Sequence, residues 1–194
     1  MNLRRRIKRF LTERIVLWLR EVEQEGRRNE QAELMSRAKR CGSDLRLLGD
    51  FVITGIENAE IGDNVHIGAN CYIRAEGGLV IGDHAHFSRN LVIYTINHNF
   101  NGLRLPYDET MTSKPVHIGK NVWIGMNVCI APGTIIGDGA IIGMGATVSG
   151  EVPPLAIIGG QKWRQLSQRD AAHYERLEAA GEYGGVQGVA LDKD

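Results

Sequence analysis

From Val116 onward an apolar or small residue, a spacer and a branched apolar residue return every six positions. The pairs are Val116/Ile118, Val122/Ile124, Val128/Ile130, Thr134/Ile136, Ala140/Ile142 and Ala146/Val148. The same beat runs earlier through Ala59/Ile61, Val65/Ile67, Cys71/Ile73, Leu79/Ile81, Ala85/Phe87 and Leu91/Ile93. Ten of the twelve second members are Ile, so one unit of structure is being repeated. A sustained period of six predicts a solenoid of short strands, hence a mainly β fold. Three hexads make one triangular turn, with the second member pointing inward and the smaller one fitting the crowded corner beside it. Counting in threes gives turns at 61/67/73, 81/87/93, 118/124/130 and 136/142/148, with a further irregular turn at 47–56. Gly62, Gly68, Gly119, Gly125, Gly137 and Gly143 relieve backbone crowding at the bends.

Chemistry belongs where the beat fails. The step from Ile73 to Ile81 is eight, so Gly77–Gly78 forms a bulge. The step from Ile93 to Ile118 is twenty-five, so a loop at 95–115 leaves the wall. A loop of that length inside a regular solenoid points to function. It carries Phe100, Tyr107 and two prolines, which favours an ordered loop.

Three segments follow: a helical stretch at 1–42, the solenoid at 43–160 and a C-terminal helix with tail at 161–194. In the first, Leu3, Ile7, Leu11, Ile15, Trp18 and Val22 recur at helical spacing and form one apolar stripe. The charged stretch from Arg27 to Arg40 continues that helical pattern up to Gly42. In the last segment, Asp170 is placed to start a helix and Gly181 to end it.

The 194 residues carry a formal net charge of zero, which gives no global pull toward nucleic acid. Residues 1–20 nevertheless hold seven basic side chains against the single acid Glu13. Their helix either packs on the solenoid end or a partner subunit, or lies on an anionic membrane surface. No run approaches ~18 apolar residues, so none spans a bilayer. The short apolar run Ile15–Leu19, flanked by Arg14 and Arg20, does not make a signal peptide. Cys41, Cys71 and Cys129 are odd in number and unclustered, which argues against a disulfide framework and for a reducing compartment. The expected location is cytoplasmic, with a peripheral position at the inner face of the membrane left open.

Several stretches together resemble the hexapeptide-repeat acyltransferases, nearest to the galactoside and maltose O-acetyltransferase group. They are the hexads, the His at the root of the loop, Lys114-Pro-Val-His-Ile-Gly, Asn121-Val-Trp-Ile-Gly, Ala131-Pro-Gly-Thr-Ile-Ile-Gly-Asp-Gly and Val152-Pro-Pro-Leu-Ala-Ile-Ile-Gly-Gly. The resemblance covers roughly residues 45–165. It implies a left-handed parallel β-helix and a homotrimer with active sites between subunits. It also implies acetyl-coenzyme A as co-substrate, no metal, and a saccharide or other small-molecule acceptor.

The same resemblance makes His98 the general base. An acceptor hydroxyl attacks a thioester only as something takes its proton, and a near-neutral imidazole suits that task. The imidazole needs an orienting acid; Glu76, Asp108 and Glu109 lie in nearby breaks, and Glu76, just before the bulge and one turn below the loop root, is preferred. Tyr72 and Arg74, joined by Asn97 and Asp108, are the expected acceptor contacts. Asn is common in the family where Arg74 stands, which hints at an anionic acceptor. Expected coenzyme contacts are Trp123, Met126, Met144, Ser149, Gly150, Lys162 and Arg164. Thr-Lys is usual where Ser149-Gly150 occurs, and Lys162 is placed to supply the lost charge.

Three alternatives remain open at this point: N-acetylation of an amino sugar, a non-catalytic trimeric scaffold, and a zinc protein like the γ-class carbonic anhydrases. The last draws on His66 and His86 at equivalent outward positions, but the next equivalent position is Trp123. Two histidines are too few for a catalytic zinc site. No cysteine or serine is placed as an acyl carrier, so direct transfer in a ternary complex is expected.

Overall fold

Each hexad becomes a strand of two or three residues followed by a corner, and the corners stack. A computed structural model describes residues 3–160 and 168–182, with side chains from Phe10 onward. The fold is mainly β, a parallel solenoid of about six turns with two helices, the build of a left-handed β-helix of hexapeptide repeats.

The first face stacks Arg40–Cys41, Ala59–Ile61, Leu79–Ile81, Val116–Ile118, Ile135–Ile136 and Glu151–Val152. The second stacks Arg46–Leu47, His66–Ile67, His86–Phe87, Trp123–Ile124, Ile141–Ile142 and Ile157–Ile158. The third stacks Val52–Thr54, Tyr72–Arg74, Val92–Tyr94, Cys129–Ile130 and Thr147–Val148. Taken as coils, these run 40–54, 59–74, 79–94, 116–130, 135–148 and a partial sixth at 151–158.

Second members meet second members across the coils, as in Ile53↔Ile73↔Ile93 and Ile67↔Phe87↔Ile124. Both members of every pair from 59 to 148 are buried. Each Ile so buried contributes roughly 1.5–3 kcal/mol of transfer free energy. The core is therefore one continuous apolar column.

The corner glycines have the role expected of them. A Cβ on Gly125 would sit 2.7 Å from the backbone nitrogen of Met144 in the coil above. The left-handed residue comes two positions after the corner glycine, as Asn in Asn64, Asn70, Asn121 and Asn127, as His84, or as Gly in Gly139 and Gly145, and Asn90 takes the same place after Ser88. Asn tolerates that conformation better than other side chains. Aspartates one residue earlier accept backbone N–H groups from the coil below, as Asp63 does from Ser43 and Asp138 from Lys120.

Among the described side chains, those of the last turns dock helix α1 (Leu3–Ser36). Met35 is buried in the core, Gln31 Nε2 donates to the Gly49 carbonyl at 2.8 Å, and Arg27 pairs with Asp50 at 2.8 Å. The helix stops at Ser36, short of Gly42, because Arg40–Cys41 is already strand, paired with Glu60–Ile61. A charged dipeptide gives no periodic sign of such a strand. Helix α2 (Ala171–Ala180) lies in a second compact unit, 161–194. Asp170 caps it by accepting from the His173 N–H, and Gly181 closes it in the left-handed conformation.

Candidate active site

The segment after Tyr94 leaves the solenoid as an arm rather than a featureless loop. Ile96–His98 pairs antiparallel with Met111–Ser113, placing Asn97 opposite Thr112 and His98 opposite Met111. The arm is rooted by Thr95, which is fully buried. Its hydroxyl donates to the Arg74 carbonyl at 2.7 Å and accepts the Gly77 N–H at 2.8 Å. A Cβ on Gly77 would drive into the Thr95 carbonyl oxygen, so the bulge at 77–78 is what lets the root seat.

Thr95 continues the inward alternation Leu91, Ile93, Thr95. A polar residue in that register was the signal that could have singled it out. Thr95→Val keeps the shape but strands the Gly77 donor, while the Arg74 carbonyl keeps the Thr95 backbone N–H. It is expected to lower stability by about 1–3 kcal/mol, read from urea unfolding at fixed protein concentration.

His98 itself is exposed. Its ring stacks on Tyr107, with centroids 3.9 Å apart and planes 14° from parallel. The two come together because Asp108 folds the tip of the arm. The Asp108 carboxylate accepts from the Leu103 N–H at 2.8 Å, the Thr110 N–H at 3.0 Å and the Thr110 hydroxyl at 2.5 Å. Those donors, the Thr110 hydroxyl foremost, hold its carboxyl below the ordinary range. Asn97 accepts the His98 N–H at 2.9 Å.

The Glu76 carboxylate engages neighbours on the wall, not the ring of His98. Its Oε1 accepts from the Thr54 hydroxyl at 2.9 Å and from Arg74 Nη2 at 3.0 Å. Burial, the largest single influence, pushes its carboxyl up. Hydrogen bonds from its own backbone, Arg74 and Thr54, with the charge of Arg74, outweigh that and hold it below the usual range. The Arg74 guanidinium also lies over the Tyr94 ring at 5.8 Å, and Tyr94 stands 6.0 Å from Tyr72. The cation is thus already matched by an acid, which removes the reason to read Arg74 as a sign of an anionic acceptor.

The third face orders the remaining candidates along the solenoid axis. Tyr72 and Arg74 occupy the second coil, and the root of the arm leaves the third. Met126 and Met144 sit at successive corners where the second face meets the third, on the fourth and fifth coils. Ser149 and Gly150 lie at the far edge of that face, on the fifth. Trp123 projects from the second face instead, 54 % exposed and in register with His86. Lys162 and Arg164 lie outside the described residues.

Below Trp123, His66 Nδ1 and His86 Nδ1 approach to 3.1 Å. Burial lowers both imidazoles, and for His66 the charge of His86 adds to it. Among the described residues no group of three or more His, Cys, Asp or Glu is placed to hold a metal ion.

Comparisons with known proteins find the same repeat and the same fold. Residues 115–150 match the bacterial transferase hexapeptide model (six repeats), and residues 59–95 match the hexapeptide repeat of succinyl-transferase. No curated protein matches the chain. A hexapeptide-repeat acetyltransferase from Vibrio cholerae O1 biovar eltor, complexed with acetyl-coenzyme A, is 25% identical with a TM-score of 0.62. That match covers 73% of this chain and 79% of the other. A maltose O-acetyltransferase from Clostridium difficile 630 is 28% identical over 67% of this chain and 69% of its own, with a TM-score of 0.59. A galactoside acetyltransferase in complex with coenzyme A shares the fold, at 23% identity and a TM-score of 0.61, over 84% of this chain and 77% of the other.

Proposed function

We propose that this chain, a hexapeptide-repeat acyltransferase by its repeats and its solved neighbours, moves an acetyl group from acetyl-coenzyme A to a hydroxyl of a sugar or polysaccharide precursor. His98 is the general base. The hydroxyl oxygen attacks the thioester carbonyl as the imidazole takes its proton, the tetrahedral oxyanion collapses with cleavage of the C–S bond, and the imidazolium returns that proton so that the coenzyme departs as its thiol. Both substrates are bound together, and backbone N–H groups serve the oxyanion. The protein works as a homotrimer whose sites lie between subunits.

One observation carries this reading. An exposed imidazole, braced on Tyr107, stands on an arm rooted between the coil of Tyr72 and Arg74 and the coils of Met126 and Met144. Acceptor and donor positions therefore flank the base along one face. The charge-balanced Arg74–Glu76 pair, with Arg74 over the Tyr94 ring and Tyr72 beside that ring, suits an uncharged saccharide. Within the proposal, Glu76 positions Arg74 rather than the imidazole, and Asp108 shapes the arm.

The test is coenzyme release with acetyl-coenzyme A against a panel of saccharide acceptors. Acceptor-dependent thiol release with intersecting double-reciprocal lines is the expected result. Parallel lines would sink direct transfer, and failure to bind acetyl-coenzyme A would sink the enzyme reading altogether.

A further inference from the structure

Helix α1 has two unlike halves. Its docked portion begins at Arg27, and every described residue from Phe10 to Gly26 is exposed. The portion before it, Leu3–Gly26, extends for roughly 36 Å at the α-helical rise. It presents Phe10 at 61 % and Trp18 at 60 % exposure, with Leu11, Ile15, Leu17, Leu19 and Val22 also open. Among the described residues no helix is long and apolar enough to cross a membrane.

We propose that residues 3–26 lie on the surface of an anionic lipid bilayer, apolar stripe inward, and tether the solenoid there. Charge argues for that occupant. Residues 1–20 carry seven basic side chains and one acid, a net of six positive charges. Residues 21–36 reverse the balance, with five glutamates against Arg27 and Arg28. The positive excess is therefore confined to the part of the helix that precedes its docked turns. By helical spacing Arg5, Arg6, Arg9 and Arg20 fall away from the stripe of Ile7, Leu11, Ile15, Trp18 and Val22, while Arg4 lies in line with it and Lys8 and Arg14 at its edges. Long basic side chains at an apolar edge lay their stems along hydrocarbon and reach their charges to the headgroups, which suits a helix lying in the headgroup region. A parallel second copy would instead bring two ends of six positive charges together. The inference stands apart from the acetyl-transfer reading, since no residue of the arm or of the third face takes part.

The experiment sediments the full chain with vesicles of phosphatidylcholine alone, and with about one third phosphatidylglycerol mixed in. Binding is expected to the mixed vesicles, at least about tenfold weaker to the neutral ones, and to fall in 0.5 M salt as screening shortens. Arg14→Glu with Arg20→Glu should reduce partitioning by roughly 25-fold or more, at about fivefold for each basic residue near an anionic surface. Phe10→Asp with Trp18→Glu should abolish it. These positions are off the solenoid, and circular dichroism verifies that each variant stays folded. Absence of binding by the unaltered chain overturns the inference, as does binding that neither variant weakens. It is overturned equally if Trp18→Glu lowers the oligomeric mass in sedimentation velocity, because the stripe then joins copies of this chain.

Discussion

His98→Ala is expected to cut acceptor-dependent acetyl transfer by roughly 10²–10⁴-fold, the usual contribution of a positioned general base. Binding of acetyl-coenzyme A, followed by titration calorimetry, should change little, because the ring projects from the arm and not from the corners of Met126 and Met144. The arm should keep its shape as well. Its folding rests on Asp108 with Leu103 and Thr110, and on Thr95 at the root, none of which uses the imidazole. The loss should therefore appear in kcat rather than in coenzyme affinity. A variant with near-unaltered kcat would remove His98 from the chemistry.

Phe87→Ala should be the most damaging of single truncations in the core, lowering stability by about 3–5 kcal/mol. Phe87 is fully buried on the third coil, stacked between Ile67 and Ile124. The hole cannot close easily, because backbone hydrogen bonds tie the coils together on both sides. His66 N donates to the Ala85 carbonyl and Ser88 N to that of Ile124. In a solenoid each coil touches only its neighbours, so the weakness falls between the first two coils and the last three. The shift in urea midpoint at fixed protein concentration measures it. A change under about 1 kcal/mol, the range of an Ile→Val truncation, would show that the column repacks.

The column was legible because a period of six converts directly into inward and outward positions. Counting placed Ile61, Ile67 and Ile73 on three faces, and register pairs each with its expected successor. The crowding at Gly125 was legible for the same reason. The conformation of Asn127 and its equivalents was not, because the eye goes to glycine when a left-handed residue is sought. The pairing of Asn97 with Thr112 escaped notice since both flanks of the arm are polar and show no alternation. Glu76 was found by its place beside the bulge, but its partners were hidden. Thr54 reaches it from the neighbouring coil, a contact no linear spacing shows, while Arg74 reaches it from two residues earlier on its own coil. Arg74 accordingly looked like a free cation when it is a paired one. The stacking of His98 on Tyr107 depends on how Asp108 bends the tip, which no spacing rule supplies.

The Lys114 N–H donates to the Thr95 carbonyl at 2.8 Å, so the arm departs and returns at a single point. Tyr94 and Val116 keep their rungs as though nothing lay between them, opposite Arg74 and Leu79. A guest segment clipped in this way is mechanically silent toward its host. Its tip can be rewritten without disturbing the stacked rungs, which leaves a change of acceptor, under the reading proposed for the arm, to substitutions that the spring never feels.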